Sequence, residues 1–189
     1  QYTTMEPKLK LSDVRTELPF NINHGLCIFS IKNILKYPED YVLDYDVYLP
    51  TKKKNLQRPF VWTDLQKREL IISMLKGTKI PPMAMIQSTN DYSERKDRVY
   101  KIIDGKQRLS TILSFAKNEF LIQWNGCAYG INDLDEVAQR EIFNHWVHAD
   151  VGYEYPDKLI SDDDKIAWFE LINFAGTPQD INHLNDLKS

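Results

Sequence analysis

Five consecutive residues, Asp104, Gly105, Lys106, Gln107 and Arg108, stand between an apolar run and a segment with helical spacing. Glycine tolerates positive φ and lets a ligand approach the backbone closely. A tight turn feeding a helix N-terminus exposes free N–H groups and the positive end of the helix dipole. Lys106 adds a point charge, and Arg108 has the fork that grips two phosphate oxygens at once. The chemistry this pattern offers is anion binding. Asp104 would repel a phosphate, so it is expected to cap the helix, bind a cation or orient a water. The bland alternative is an Asp-Gly turn followed by a solvated helix decorated with cations. The chain has no GxxxxGK[ST] sequence, so this is not a Walker A loop.

A second constellation lies upstream: Gln57, Arg58, Pro59, Phe60, Val61 and Trp62. Glutamine offers donor and acceptor, and Arg58 sits beside two aromatics on a stretch that Pro59 keeps extended. Such a set can stack on a base, Trp62 being the candidate, while the arginine meets a phosphate. The competing reading puts Phe60 and Trp62 in the core and pairs Arg58 with an internal acid. His145 and His148 are three apart near Asp150, but no third convincing ligand accompanies them, so no metal site is expected there. The acidic run 162–164 serves a helix N-terminus. Neither a histidine–asparagine–histidine nuclease core nor a Ser-His-Asp arrangement can be read from the order of residues.

The surrounding pattern must position both groups. Residues 6–24 carry little periodicity and read as an arm; residues 1–4 are set aside. Residues 26–30 read as a strand and 31–37 as a short helix stopped by Pro38. Residues 45–49 alternate as a strand, 52–54 form a basic loop, and 55–62 are extended. Thr63 with Gln66 predicts a capping box opening a helix whose buried stripe is Leu65, Ile72 and Leu75, closed by Gly77. Residues 82–87 and 99–103 are strands joined by a charged connection, 90–98. The helix after Gly105 buries Leu109, Ile112, Leu113 and Ala116, and its other side offers Arg108 and Thr111. A hairpin is expected around Asn125-Gly126. Asp133 with Glu136 is expected to cap a helix running to about Asn144. Residues 146–153 form a strand, and Ser161 with Asp164 caps a helix with Trp168, Leu171, Ile172 and Ala175 on one face. Gly176 ends that helix, and Thr177-Pro178 opens another that runs to the last residue, as in a piece of a longer protein. Strands and helices interleave early and helices dominate after residue 130. The pattern is that of a small sheet layer with a helical C-terminal portion packed on it.

Composition narrows the function classes. The 189 residues suit one well-buried core, and 42% hydrophobic with 27% charged residues is ordinary for a globular protein. No apolar run approaches the ~20 residues of a membrane span, and no signal peptide is visible, so a cytoplasmic setting with reduced Cys27 and Cys127 is expected. The net charge of −3 is unevenly divided. Residues 51–108 hold 14 Lys/Arg against 6 Asp/Glu, and the remainder 10 against 21. The basic central third points to a polar partner carrying phosphate.

Taken together, QRPFVW, the helix LQKRELIISMLKG, the strand IPPMAMIQ and IIDGKQRLSTILSF resemble, in order and spacing, the N-terminal domain of GmrSD-type modification-dependent restriction proteins. FELINFAGTPQD is similar to that family's downstream segment, and the likeness spans roughly residues 26–187. The resemblance implies an α+β fold: a small mixed ParB/sulfiredoxin-like sheet with packed helices and a mainly helical C-terminal portion, in one domain over 26–189 after an arm at 1–25. It further implies a nucleotide site. The family's hallmark is an Asp-Gly-Gln-Gln-Arg motif associated with nucleotide binding and hydrolysis, and here Lys106 replaces the first glutamine. That departure favours phosphate binding and makes turnover hang on what Lys106 does. By this resemblance Asp104, Gln107 and Arg108 are the catalytic candidates. Gln57, Arg58, Gly105, Lys106, Arg108 and Thr111 would bind the nucleotide and its phosphates, with Asp104 a ligand for Mg²⁺. The implied partners are a nucleoside triphosphate, DNA, and a separate nuclease domain or partner protein, which 189 residues do not accommodate. The activity expected is nucleotide binding, with hydrolysis a further step, on or beside DNA in restriction or phage–host conflict. Two rivals stand beside it: a non-catalytic DNA-binding or sensor module, and a protein-interaction inhibitor working through its acidic flanks.

Overall fold

The computed structural model describes residues 24–89 and 98–174. Strand β1, His24–Ser30, is the first element among the described residues. Residues 1–23 of the arm expected at 1–25, residues 90–97 of the connection expected at 90–98, and the residues from Ala175 onward, with the helix expected after Pro178, lie outside the described residues, while residues 24–25 and 98 belong to strands. Ser30 ends β1 and caps α1, Ile31–Lys36, its hydroxyl accepting from the Asn33 N–H at 3.1 Å. Ile31 and Ile34 bury that helix's inner face.

The expected strand at 45–49 is not continuous. Strand β2 is Val42–Asp44 and β3 only Tyr48–Leu49. Between them the Asp44 carboxylate accepts from the N–H groups of Asp46 and Val47, both at 3.0 Å, and Val47 takes φ 52°. A side chain that satisfies backbone donors locally competes with the sheet ladder, and here it wins. Strand β4, Lys54–Asn55, pairs back on β3.

Helix α2, Asp64–Leu75, opens with the expected capping box. Its buried stripe is Ile71, Ile72 and Met74, while Leu65 is 65% exposed, because the first turn projects beyond the core. Gly77, at φ 76°, closes it. Strands β5, Met83–Thr89, and β6, Arg98–Asp104, stand on either side of residues 90–97, and α3, Lys106–Ala116, follows. The Asn125-Gly126 turn joins β7, Ile122–Trp124, to β8, Cys127–Tyr129. Helix α4, Glu136–Phe143, is capped by Asp135, not Asp133, which sits in a short 3-10 turn. Strand β9, Trp146–Glu154, precedes α5, Asp162–Phe174. Ser161 caps α5 as expected, accepting from the Asp164 N–H at 3.0 Å. Leu171 is 55% exposed, so the buried face of α5 is carried by Ile166, Trp168 and Phe169.

The main sheet runs β1-β9-β5-β6-β2, with β9 parallel to β5 and antiparallel to β1. The fold is mixed α+β. One sheet face, carrying Phe29, Met83, Met85, Ile102, Val147 and Val151, packs under α1 to α4 in the larger core. The other face is covered only in part: Ala84, Ile86 and Ile103 meet Val47, Leu49, Leu56 and the apolar side of α5. Strand β5 is therefore buried on both faces, as its near-continuous apolar run requires.

Candidate functional site

The site grows from an irregularity in the sheet. Pairing runs Ala84↔Asp104 and then Met85↔Ile102, so Ile103 is an extra residue in β6, a bulge. The Gln57 amide donates from Nε2 to the carbonyls of both Ile102 and Ile103, at 2.8 and 2.6 Å. Gly105 follows as the N-cap of α3, at φ 105° and without a side-chain cap. A Cβ there would stand 2.7 Å from Met83 Cγ, so glycine answers both a backbone and a packing demand. The first N–H groups of α3 have no intrahelical acceptor.

The motif side chains hold the upstream segment. Gln107 Oε1 accepts from the N–H groups of Val61 and Trp62 at 3.0 and 3.3 Å, and its Nε2 donates to the Pro59 carbonyl at 3.2 Å. Lys106 Nζ pairs with Asp46 Oδ1 at 2.8 Å. Tyr45 is pinned beside it: burial pushes its hydroxyl up to about 12, opposed by a hydrogen bond with Ser110 on α3. Arg108 donates from Nη1 to the Pro81 carbonyl at 2.6 Å and from Nη2 to Asp104 Oδ2 at 2.6 Å, tying the start of β5 to the end of β6.

The structure thus brings Gln57, Asp104, Gly105, Lys106, Gln107 and Arg108 into one connected set, and corrects several assignments within it. Asp104 does not cap α3; it pairs with Arg108 one turn on. Lys106 is 8% exposed and committed to Asp46, so it is no free phosphate cation. Its spacing to Leu109, Leu113 and Ala116 already placed it on the apolar face, which is the signal that sequence reading passed over. Thr111 is not on an open side: it is 1% exposed and its Oγ1 has no hydrogen-bond partner among the described residues. Helix α3 is buried nearly all round, because Thr111 and Phe115 pack on the side opposite Leu109. Arg58 differs from the other cations. It is half-buried and makes no hydrogen bond or ion pair among the described residues. Trp62 is half-buried beside it, and Phe60 is exposed rather than core. Asp46, Tyr45 and Ser110 belong to the site's frame and had no sequence signal, since their roles arise from the Asp44 turn.

Among the described residues no three His, Cys, Asp or Glu side chains cluster as a metal site. Burial and the neighbouring His148 hold His145 below its ordinary range, with Glu141 opposing. Among the described residues the carboxylates paired with the motif's cations are Asp104 and Asp46. Two carboxylates, both paired, do not make a protein-built cage for Mg²⁺. Cys27 and Cys127 are free thiols, and no helix among the described residues is long and apolar enough to cross a membrane.

Comparison with known proteins adds one match. The family described as GmrSD restriction endonuclease, N-terminal domain, matches residues 39–183, a span that takes in both constellations. No curated protein and no solved structure matches the chain.

Proposed function

The chain belongs to the GmrSD restriction endonuclease N-terminal domain family, and from that premise we propose that it binds a nucleoside triphosphate at the N-terminus of α3 and works on or beside DNA in restriction. The observation that carries this reading is Arg58. Its backbone neighbours are clamped on both sides, by Gln57 on Ile102 and Ile103 and by Gln107 on Pro59, Val61 and Trp62. Its own guanidinium is left without a partner among the described residues. A cation with no competing ion pair among the described residues, on a segment that Gln107 ties to the first turn of α3, suits a phosphate.

In this account Arg58 and the first N–H groups of α3 take the phosphates, while Trp62 and Phe60 offer ring faces to the base. Gln57, Lys106, Gln107 and Arg108 hold the two walls of the site in register. Bound Mg²⁺ would supply charge neutralisation between phosphate oxygens. Hydrolysis asks more of the chain: Asp104 must turn one oxygen from Arg108 toward the attacking water. The ParB/sulfiredoxin kinship, a cytoplasmic location and a nuclease domain or protein partner belong to the same proposal. Titration of labelled nucleoside triphosphates with and without Mg²⁺ tests it. Saturable binding lost in Arg58→Ala supports it; no binding to the wild type, or binding indifferent to Arg58, overturns it.

A second reading is favoured by a specific observation: both acids near the motif are already held, Asp46 by Lys106 and Asp104 by Arg108. On that reading the domain senses or binds DNA without turnover. It expects salt-sensitive DNA binding and no phosphate release; release that Asp104→Asn abolishes would sink it.

A further inference from the structure

The sheet ends on one side at β1, and no described strand pairs with its outer edge. Edge strands in soluble proteins usually carry a lysine, a proline or an inward charge that blocks pairing with another chain. The strand reads HGLCIFS and has none of these. Its exposed side chains are apolar: Leu26 is 88% and Ile28 56% exposed, with Trp146 on the adjacent β9 at 56%. They lie on the sheet face where α5 and its neighbours cover β5, β6 and the Glu154 end of β9, and among the described residues nothing packs over Leu26 and Ile28.

The backbone of this edge is matched to itself. The Ile31 N–H donates to the His145 carbonyl at 3.2 Å, continuing the register in which Ser30 faces Trp146. Antiparallel pairs alternate between bonded and non-bonded. Phe29, Cys27 and Gly25 therefore turn their N–H and C=O groups toward β9, and Leu26 and Ile28 turn theirs outward. A second copy rotated by a two-fold axis through Cys27 sets Leu26 opposite Ile28 of that copy, and Ile28 opposite its Leu26. Each pair then exchanges both its N–H···O bonds. The two Cys27 residues meet as a non-bonded pair with Cα atoms about 4.5 Å apart. The four Leu and Ile side chains close over one another beside the two Trp146 rings.

We propose that β1 pairs antiparallel with β1 of a second copy, making a two-fold dimer through one continuous sheet. A second copy is the occupant the edge fits best: the strand is uncharged, its outward donors and acceptors are self-complementary about Cys27, and the apolar side chains that flank them come to lie opposite one another. The proposal stands apart from the nucleotide site, which lies at the far end of β6, and each can fail without the other.

The test is sedimentation of the full chain over a range of concentrations, run beside a variant carrying Leu26→Lys and Ile28→Lys. Both positions are exposed, so the variant keeps its fold and its circular dichroism. The wild type is expected to dimerise, and the variant to dissociate about a hundredfold more readily. In a Cys127→Ser background, mild oxidation is expected to link the dimer through Cys27, since directly opposed residues at this separation reach disulfide geometry. A wild type that stays monomeric overturns the proposal. So does a dimer that survives the lysine pair, or one that oxidation fails to link at Cys27.

Discussion

Most of the motif's charge and amide capacity goes into architecture. Lys106 answers Asp46, Arg108 answers Asp104, Gln57 holds the carbonyls of Ile102 and Ile103, and Gln107 holds backbone groups of Pro59, Val61 and Trp62. Lys106→Gln, which restores the amide of the family's hallmark, is expected to lower stability by about 1–2 kcal/mol in urea unfolding. The loss is modest because Asp46 is 65% exposed on its side chain and water can take it back. A stability unchanged by that substitution would show that the pair contributes nothing. Thr111 makes the opposite case. Its buried hydroxyl has no partner among the described residues, so Thr111→Val, of the same shape, is expected to raise stability by about 1 kcal/mol and leave nucleotide binding alone. Lost binding in that variant would return Thr111 to the phosphate site. The five-residue motif was legible as a site from the sequence. That its cations face inward was not, because their acceptors come from a turn at Asp44 and from proline carbonyls distant in the chain.

Helix α5 is anchored to the sheet through a buried acid. Glu154, 1% exposed on its side chain, accepts from Lys101 Nζ at 2.5 Å and pairs with Lys165 Nζ at 3.1 Å. Asp162, at the start of α5, accepts from the Thr51 N–H and hydroxyl at 2.8 and 2.7 Å. Burial pushes the Glu154 carboxyl up, but the two lysines outweigh it, so it sits below its ordinary value. A carboxyl depressed in the folded state stabilises fully above its unfolded value and loses that contribution as pH falls through the folded one. Wild-type stability is expected to fall below about pH 4.5. Glu154→Gln should cost about 3–5 kcal/mol at neutral pH, since it strands buried charge, and should flatten the acid limb. Unfolding midpoints across pH check both; parallel profiles would contradict the account. Local signals served the elements well where the cap is local, as at Thr63 with Gln66 and at Ser161. They failed at residues 45–49, where alternation was overridden by the Asp44 side chain, and at Leu65 and Leu171, where helical spacing placed on the core face residues that lie beyond its edge.

Across the molecule, the two constellations meet because β6 delivers α3 beneath the extended segment at 57–62, and the order of the chain already pointed to that. Strand β9 was legible as a strand, but not its insertion between β1 and β5. Its parallel pairing to β5 spans some sixty residues and leaves no local trace. The same insertion pushes β1 to the rim, which is why the dimer edge emerges only from the fold. Of the three cations in the two constellations, Lys106 and Arg108 brace the frame, and Arg58, without a partner among the described residues, is left for a ligand. Calorimetric titration of a nucleoside triphosphate into wild type, Arg58→Ala and Arg108→Ala, with melting temperatures measured alongside, tests that division. Arg58→Ala is predicted to lose binding with its melting temperature unchanged, and Arg108→Ala to lose stability together with binding. Unimpaired binding by Arg58→Ala, or a wild type that binds no nucleotide, would contradict it.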